Sequence, residues 1–72
     1  MTVEAFLQAF SAEVGVPAPS AGEAEALLAL ASIAAHASER TAAPISCWMG
    51  GASGLPLAEL LAAAQRVAGD AA

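Results

Sequence analysis

The residues of this chain that could carry acid–base or anion-binding chemistry collect in one stretch. "AHASERTAAP", residues 35 to 44, holds the sole histidine, His36, an acid at Glu39, and Arg40, one of only two basic residues. An imidazole titrates near neutrality, and a guanidinium grips a carboxylate or phosphate through paired N–H groups. Residues three and four apart on a helix are neighbours, so His36, Glu39 and Arg40 are expected on one surface, where they would form a ligand or partner site. The competing expectation is structural. Arg40 at a helix C-terminus favours the macrodipole and can donate to carbonyls of the "TAAP" turn. On that reading Arg40 is the chief polar fastener between two helices, and removing it costs more stability than removing the solvated Arg66.

Cys47 is the second candidate. A thiol near the start of a helix has a lowered pKa and could act as a nucleophile if His36 reached it as base. No third residue orients such a pair, and a lone cysteine otherwise behaves as a small hydrophobe. One histidine and one cysteine also fall short of the three or four protein ligands of a zinc site, so no metal and no cofactor is expected. A single cysteine forms no internal disulfide.

The bulk composition narrows the classes further. Seventy-two residues make one small domain, spanning 1–72. There is no lysine, and two arginines face seven acids, for a net charge of −5. That balance argues against binding nucleic acid, whose phosphates are neutralised by cationic side chains, and against an anionic membrane surface. The longest apolar run, Ala26 to Ala31, is far shorter than the roughly 20 residues that span a bilayer. No secretory pattern opens the chain, so a cytoplasmic location is expected. The apolar fraction is 58%, but 22 of those residues are alanine. Alanine favours helix more than it buries surface, so the larger side chains must build the core.

The elements that would position these residues are all helical. Few β-branched residues and no two-residue alternation support strands. Val3, Phe6, Leu7, Phe10 and Val14 form one helical stripe, with Thr2 as N-cap and Gly15 as a left-handed stop. "SAGE", Ser20 to Glu23, has capping-box spacing and starts a second helix with Leu27, Leu30, Ala31, Ala34 and Ser38 inward. Leu28 and Ile33 flank that face. Pro44 suits the first turn of a third helix, whose core stripe reads Ile45, Trp48, Met49 and Ala52. Its other side, Ser46, Cys47, Gly50 and Gly51, is bare and predicts a backbone that something approaches closely. Pro56 opens a fourth helix carrying Leu57, Leu60, Leu61, Ala64 and Val67, ended by Gly69. The expected fold is all-α, a compact bundle of about four short helices over residues 2–14, 20–40, 44–53 and 56–68.

The order "LALA" at 28–31, Ala35-His36, Glu39-Arg40, "AAP" at 42–44 and "WMGGASG" at 48–54 resembles a small bacterial domain family of unknown function. Phe6 stands where members often carry an aromatic residue. Members occur alone or at the C-terminus of molybdenum cofactor guanylyltransferases. The resemblance covers about two thirds of the chain and implies an all-helical domain linked to formation of molybdopterin guanine dinucleotide. It assigns no catalytic residue. The chain has no glycine-rich loop after a strand, so guanylyl transfer itself is not expected of it.

Two function classes follow. One is a non-enzymatic accessory or protein-interaction module, with a homodimer or a larger enzyme, such as a molybdenum cofactor guanylyltransferase, as partner. Four alanine-rich helices leave apolar surface to cover, and the bare Ser46, Cys47, Gly50, Gly51 face would admit a partner helix. The alternative is a small ligand-binding or catalytic protein using His36, Glu39, Arg40 and Cys47. The two are separated by whether His36 and Cys47 converge on one concave pocket.

Overall fold

Thr2 and Ser20 begin the first two helices by the same means, a side-chain oxygen that accepts an otherwise orphaned backbone N–H. The Thr2 hydroxyl accepts from the Ala5 N–H at 3.0 Å and starts α1, Val3–Val14. Ser20 Oγ accepts from the Glu23 N–H at 3.2 Å, and Glu23 Oε1 accepts from the Ser20 N–H at 2.8 Å. This completed capping box starts α2, Ala21–Ala37. Two further helices follow, α3, Ala42–Ser53, and α4, Leu57–Ala71. The structure, a computed structural model, describes residues 1–71. Among these there are four helices and no strand, an all-α bundle.

Gly15 ends α1 at φ 74°, a left-handed conformation that glycine adopts without a Cβ clash, and its N–H donates to the Ser11 carbonyl. Gly54 ends α3 in the same way, at φ 72°. Gly69 does not end α4, which continues to Ala71. Positive φ occurs only at Gly15 and Gly54 among the described glycines, and a glycine without it merely weakens a helix. The carbonyl of Pro56 accepts from the N–H groups of Glu59 and Leu60 and so caps α4 from outside.

The second helix is shorter than its sequence pattern. It ends at Ala37, with Ser38 at φ −140°, ψ −103°. Ser38, Glu39, Arg40 and Thr41 then turn the chain, the Ala42 N–H donating to Glu39 and the Ala43 N–H to Arg40. The third helix accordingly starts at Ala42 rather than Pro44, and Pro44 still lies in its first turn, where no N–H is needed.

The extensive helix pairings are α2 with α3 and α2 with α4; α1 enters neither. Leu30, at the centre of α2, is 5% exposed and is the buried apolar side chain of the described residues. Leu27, Ile33, Leu57, Leu60 and Leu61 are half-buried around it. Leu28 is exposed rather than a shoulder of the core, because two residues from Leu30 means 200° round the helix.

The third helix packs with the opposite face to the one expected. Ile45, Trp48 and Met49, read above as its core stripe, are exposed, Trp48 by 75%. The small side faces inward. Gly50 is buried, and a Cβ there would lie 3.0 Å from Leu60 Cδ1. Cys47 Sγ lies 3.9 Å from the carbonyl oxygen of Leu27. The reason is steric. A flat face lets the axes of α2, α3 and α4 come close, so Leu30 and Leu60 fill the space that a glycine leaves, whereas an indole would hold the helices apart.

Candidate functional site

Between the C-terminal half of α2, α3 and α4 runs an open groove of about 410 Å³. Its large lining residues are Leu30, Ile33, Met49, Leu60 and Val67, and its small ones are Ala34, Ala37, Ala42, Gly50, Ala63, Ala64 and Ala68. Ser38 and Ser46 bring the only side-chain polar atoms, and no charged residue lines it. The sequence pattern did not point to this groove. Its alanines read as helix formers, and only their meeting on three helices makes a concave surface.

The three polar candidates lie elsewhere. His36, Glu39 and Arg40 are all exposed, and none lines the groove. The His36 ring is held by its own helix. Its Nδ1–H donates to the Ser32 carbonyl at 2.7 Å, with Ser32 Oγ 3.1 Å away, which leaves Nε2 facing outward. Because α2 ends at Ala37, Glu39 and Arg40 belong to the turn and are not helical neighbours of His36. Arg40 contributes its backbone carbonyl to that turn, while its guanidinium makes no hydrogen bond or ion pair among the described residues. The expected fastening role therefore passes from the Arg40 side chain to the backbone.

Cys47 does not meet His36. Cys47 is half-buried against Leu27, and His36 lies nine residues further along α2. Nine residues are two and a half helical turns, which places His36 on the opposite side of α2 and about 13 Å along its axis. A thiol–imidazole pair is not formed. Among the described residues no three His, Cys, Asp or Glu side chains gather in a metal-ligating group, and no helix is long and apolar enough to cross a membrane.

Of the four residues read as a bare docking face, two are packed within the chain and one lines the groove. Cys47 rests on α2, Gly50 lies between Leu30 and Leu60, and Ser46 lines the groove. Gly51 is exposed, with nothing near its Cβ position. At Cys47 and Gly50 the close approach is made by this chain's own helices. In exchange, Ile45, Trp48 and Met49 form an exposed apolar strip on α3, of which Met49 also lines the groove.

The Glu23 carboxyl group of the capping box lies outside the groove lining. The Glu23 carboxyl is held below its ordinary value of 4.5, first by the Ser20 backbone N–H and then by the Ser20 hydroxyl.

Fold and surface together define a small all-helical domain with an open apolar groove and an exposed apolar strip on α3. The chain belongs to a domain family of unknown function, DUF6457, whose model matches residues 1–72. No curated protein and no solved structure matches it.

Proposed function

We propose that this domain is a non-enzymatic interaction module, and that its partner is a molybdenum cofactor guanylyltransferase. The observation that carries the first part is the outward face of α3. Ile45, Trp48 and Met49 are 60%, 75% and 60% exposed on one side of one helix. Large side chains clustered in water mark a surface that another molecule covers, and tryptophan is the residue most enriched among binding hot spots. The second part rests on the sequence resemblance to domains that occur at the C-terminus of those enzymes.

The reading also accounts for the polar cluster without assigning it a reaction. His36 is tied back to Ser32, and Glu39 and Arg40 sit in the turn that sets the angle of α3. The backbone of that turn leads directly into the helix that displays Trp48.

The test is titration calorimetry and co-elution of this chain with the purified guanylyltransferase from the same cell. A complex is expected, weakened about tenfold or more by Trp48→Ala, as for loss of a hot spot. Absence of both heat and co-elution at micromolar concentrations overturns the assignment.

A further inference from the structure

The first helix carries an apolar stripe that its own chain covers only at Leu7, and there only in part. Phe6 and Phe10 are each 52% exposed, and Val3 70%. The two phenyl rings stack on one another, 5.8 Å between centroids, and so present a single aromatic ridge. Val3, Phe6, Leu7 and Phe10 stand at i, i+3, i+4 and i+7, the anchor spacing by which an amphipathic helix occupies an apolar groove. The groove between α2, α3 and α4 is such a receptor. It is apolar and about 410 Å³ in volume, its small residues, Ala34 and Ala64 among them, let a helix approach closely, and no α1 residue lines it.

The surface area states how much covering is missing. A folded monomer of 7.0 kDa exposes about 4000 Å². This chain exposes 5344 Å². The excess, about 1300 Å², exceeds the roughly 800 Å² that each partner surrenders in a standard stable interface.

From these observations we infer that two copies of this chain pair, each laying the Val3, Phe6, Leu7, Phe10 face of its α1 in the other's α2–α3–α4 groove. A second copy fits because the chain itself supplies both halves of the contact, and a two-fold axis then uses each half once per copy. No residue of the chain's own α1 lines its own groove, and the exit from α1 is fixed locally. The N–H groups of Gly15 and Val16 both close on the Ser11 carbonyl, at 2.9 and 3.3 Å, and Ser11 Oγ donates to the Val16 carbonyl. Pro17 and Pro19 follow, each with its φ locked by the ring.

Charge supplies an independent signature. Each copy carries a net −5, so like charges oppose pairing and salt screens the repulsion. Pairing of copies therefore strengthens as salt rises, whereas docking of a basic partner weakens.

The experiment is sedimentation equilibrium of the full chain over a range of concentration and salt, with two variants whose helicity is checked by circular dichroism. Phe6→Ser with Phe10→Ser removes the ridge, and Ala64→Gln fills the groove. The wild type is expected to reach twice 7.0 kDa, more completely at higher salt. Each variant alone raises the dissociation constant about a hundredfold or more, as for loss of paired anchors. An equimolar mixture of the two recovers a heterodimer, because the ridge of the Ala64→Gln copy still fits the groove of the other. A monomer at every concentration overturns the inference, as does a dimer indifferent to both variants or a mixture that fails to pair. Trp48→Ala leaves this self-association unchanged, so it fails or stands separately from the guanylyltransferase proposal.

Discussion

Gly50 and Leu60 share one space: a Cβ on Gly50 would stand 3.0 Å from Leu60 Cδ1 and 3.6 Å from Leu30 Cδ2. That absent methyl lets α3 and α4 close over the centre of α2, and it explains why the small side of α3 faces inward. Gly51, the next residue, has open space at its Cβ. The two glycines therefore answer differently to alanine. Gly51→Ala is expected to stabilise by about 1 kcal/mol through helix propensity alone. Gly50→Ala gains less because Leu60 must rotate, and Gly50→Leu overpacks the junction and loses about 1–3 kcal/mol. Urea denaturation at one fixed protein concentration ranks the three, and equal gains for the two alanine variants would contradict the packing described.

Leu30 and Trp48 have exchanged the roles that their sizes suggest. Leu30→Ala opens a cavity at the only buried large side chain among the described residues and should cost about 2–5 kcal/mol. Trp48→Ala, at a side chain 75% exposed, should cost under about 1 kcal/mol. The emission of Trp48 should already lie near that of indole in water and shift little on unfolding. A strongly blue-shifted emission from the chain, free of any other protein, would be inconsistent with this placement.

Both arginines are exposed. Arg40→Ala and Arg66→Ala should each change stability by no more than about 0.5 kcal/mol, and their melting temperatures should coincide. This removes the ranking that the sequence alone suggested. A substantially lower melting temperature for Arg40→Ala would show that its guanidinium binds the turn after all.

The capping box at the start of α2 has a pH signature. The folded Glu23 carboxyl is held below its ordinary value of 4.5, so its contribution is fully present above that pH and is lost as pH falls through the lowered value. Ser20→Ala removes the hydroxyl partner, which should raise the Glu23 pKa back toward its ordinary value. Carboxyl chemical shifts followed through an acid titration of both proteins give the comparison. An unchanged Glu23 midpoint would mean that the hydroxyl contributes nothing.

Much of the fold can be read from neighbours in the chain. Thr2, Ser20 with Glu23, and Gly15 each act on a backbone group a few residues away, so their types and spacing suffice to place the helix ends. The α2 and α4 stripes were legible for a similar reason apart from the exposed Ser38 and Val67, since each helix has one face richer in large apolar residues. His36 was legible as a polar residue on the outer side of α2, but its partner, Ser32, lay outside the cluster that drew attention to it.

By itself, then, the sequence determined four helices, most of their ends and an acidic, all-α domain, because those outcomes depend on bonds and sterics within about one helical turn. Only the tertiary structure decided which side of α3 is buried, that α2 stops at Ala37, that His36 and Cys47 stand apart, and that an apolar groove lies open while most of the α1 stripe stays exposed. Those outcomes depend on what one helix offers another. Ile45, Trp48 and Met49 carry a core-like pattern, yet Gly50 beside Leu60 and Leu30 permits a closer approach than any bulky face could. Periodicity reports that a helix has a greasy side; the shape of its neighbours decides whether that side turns inward.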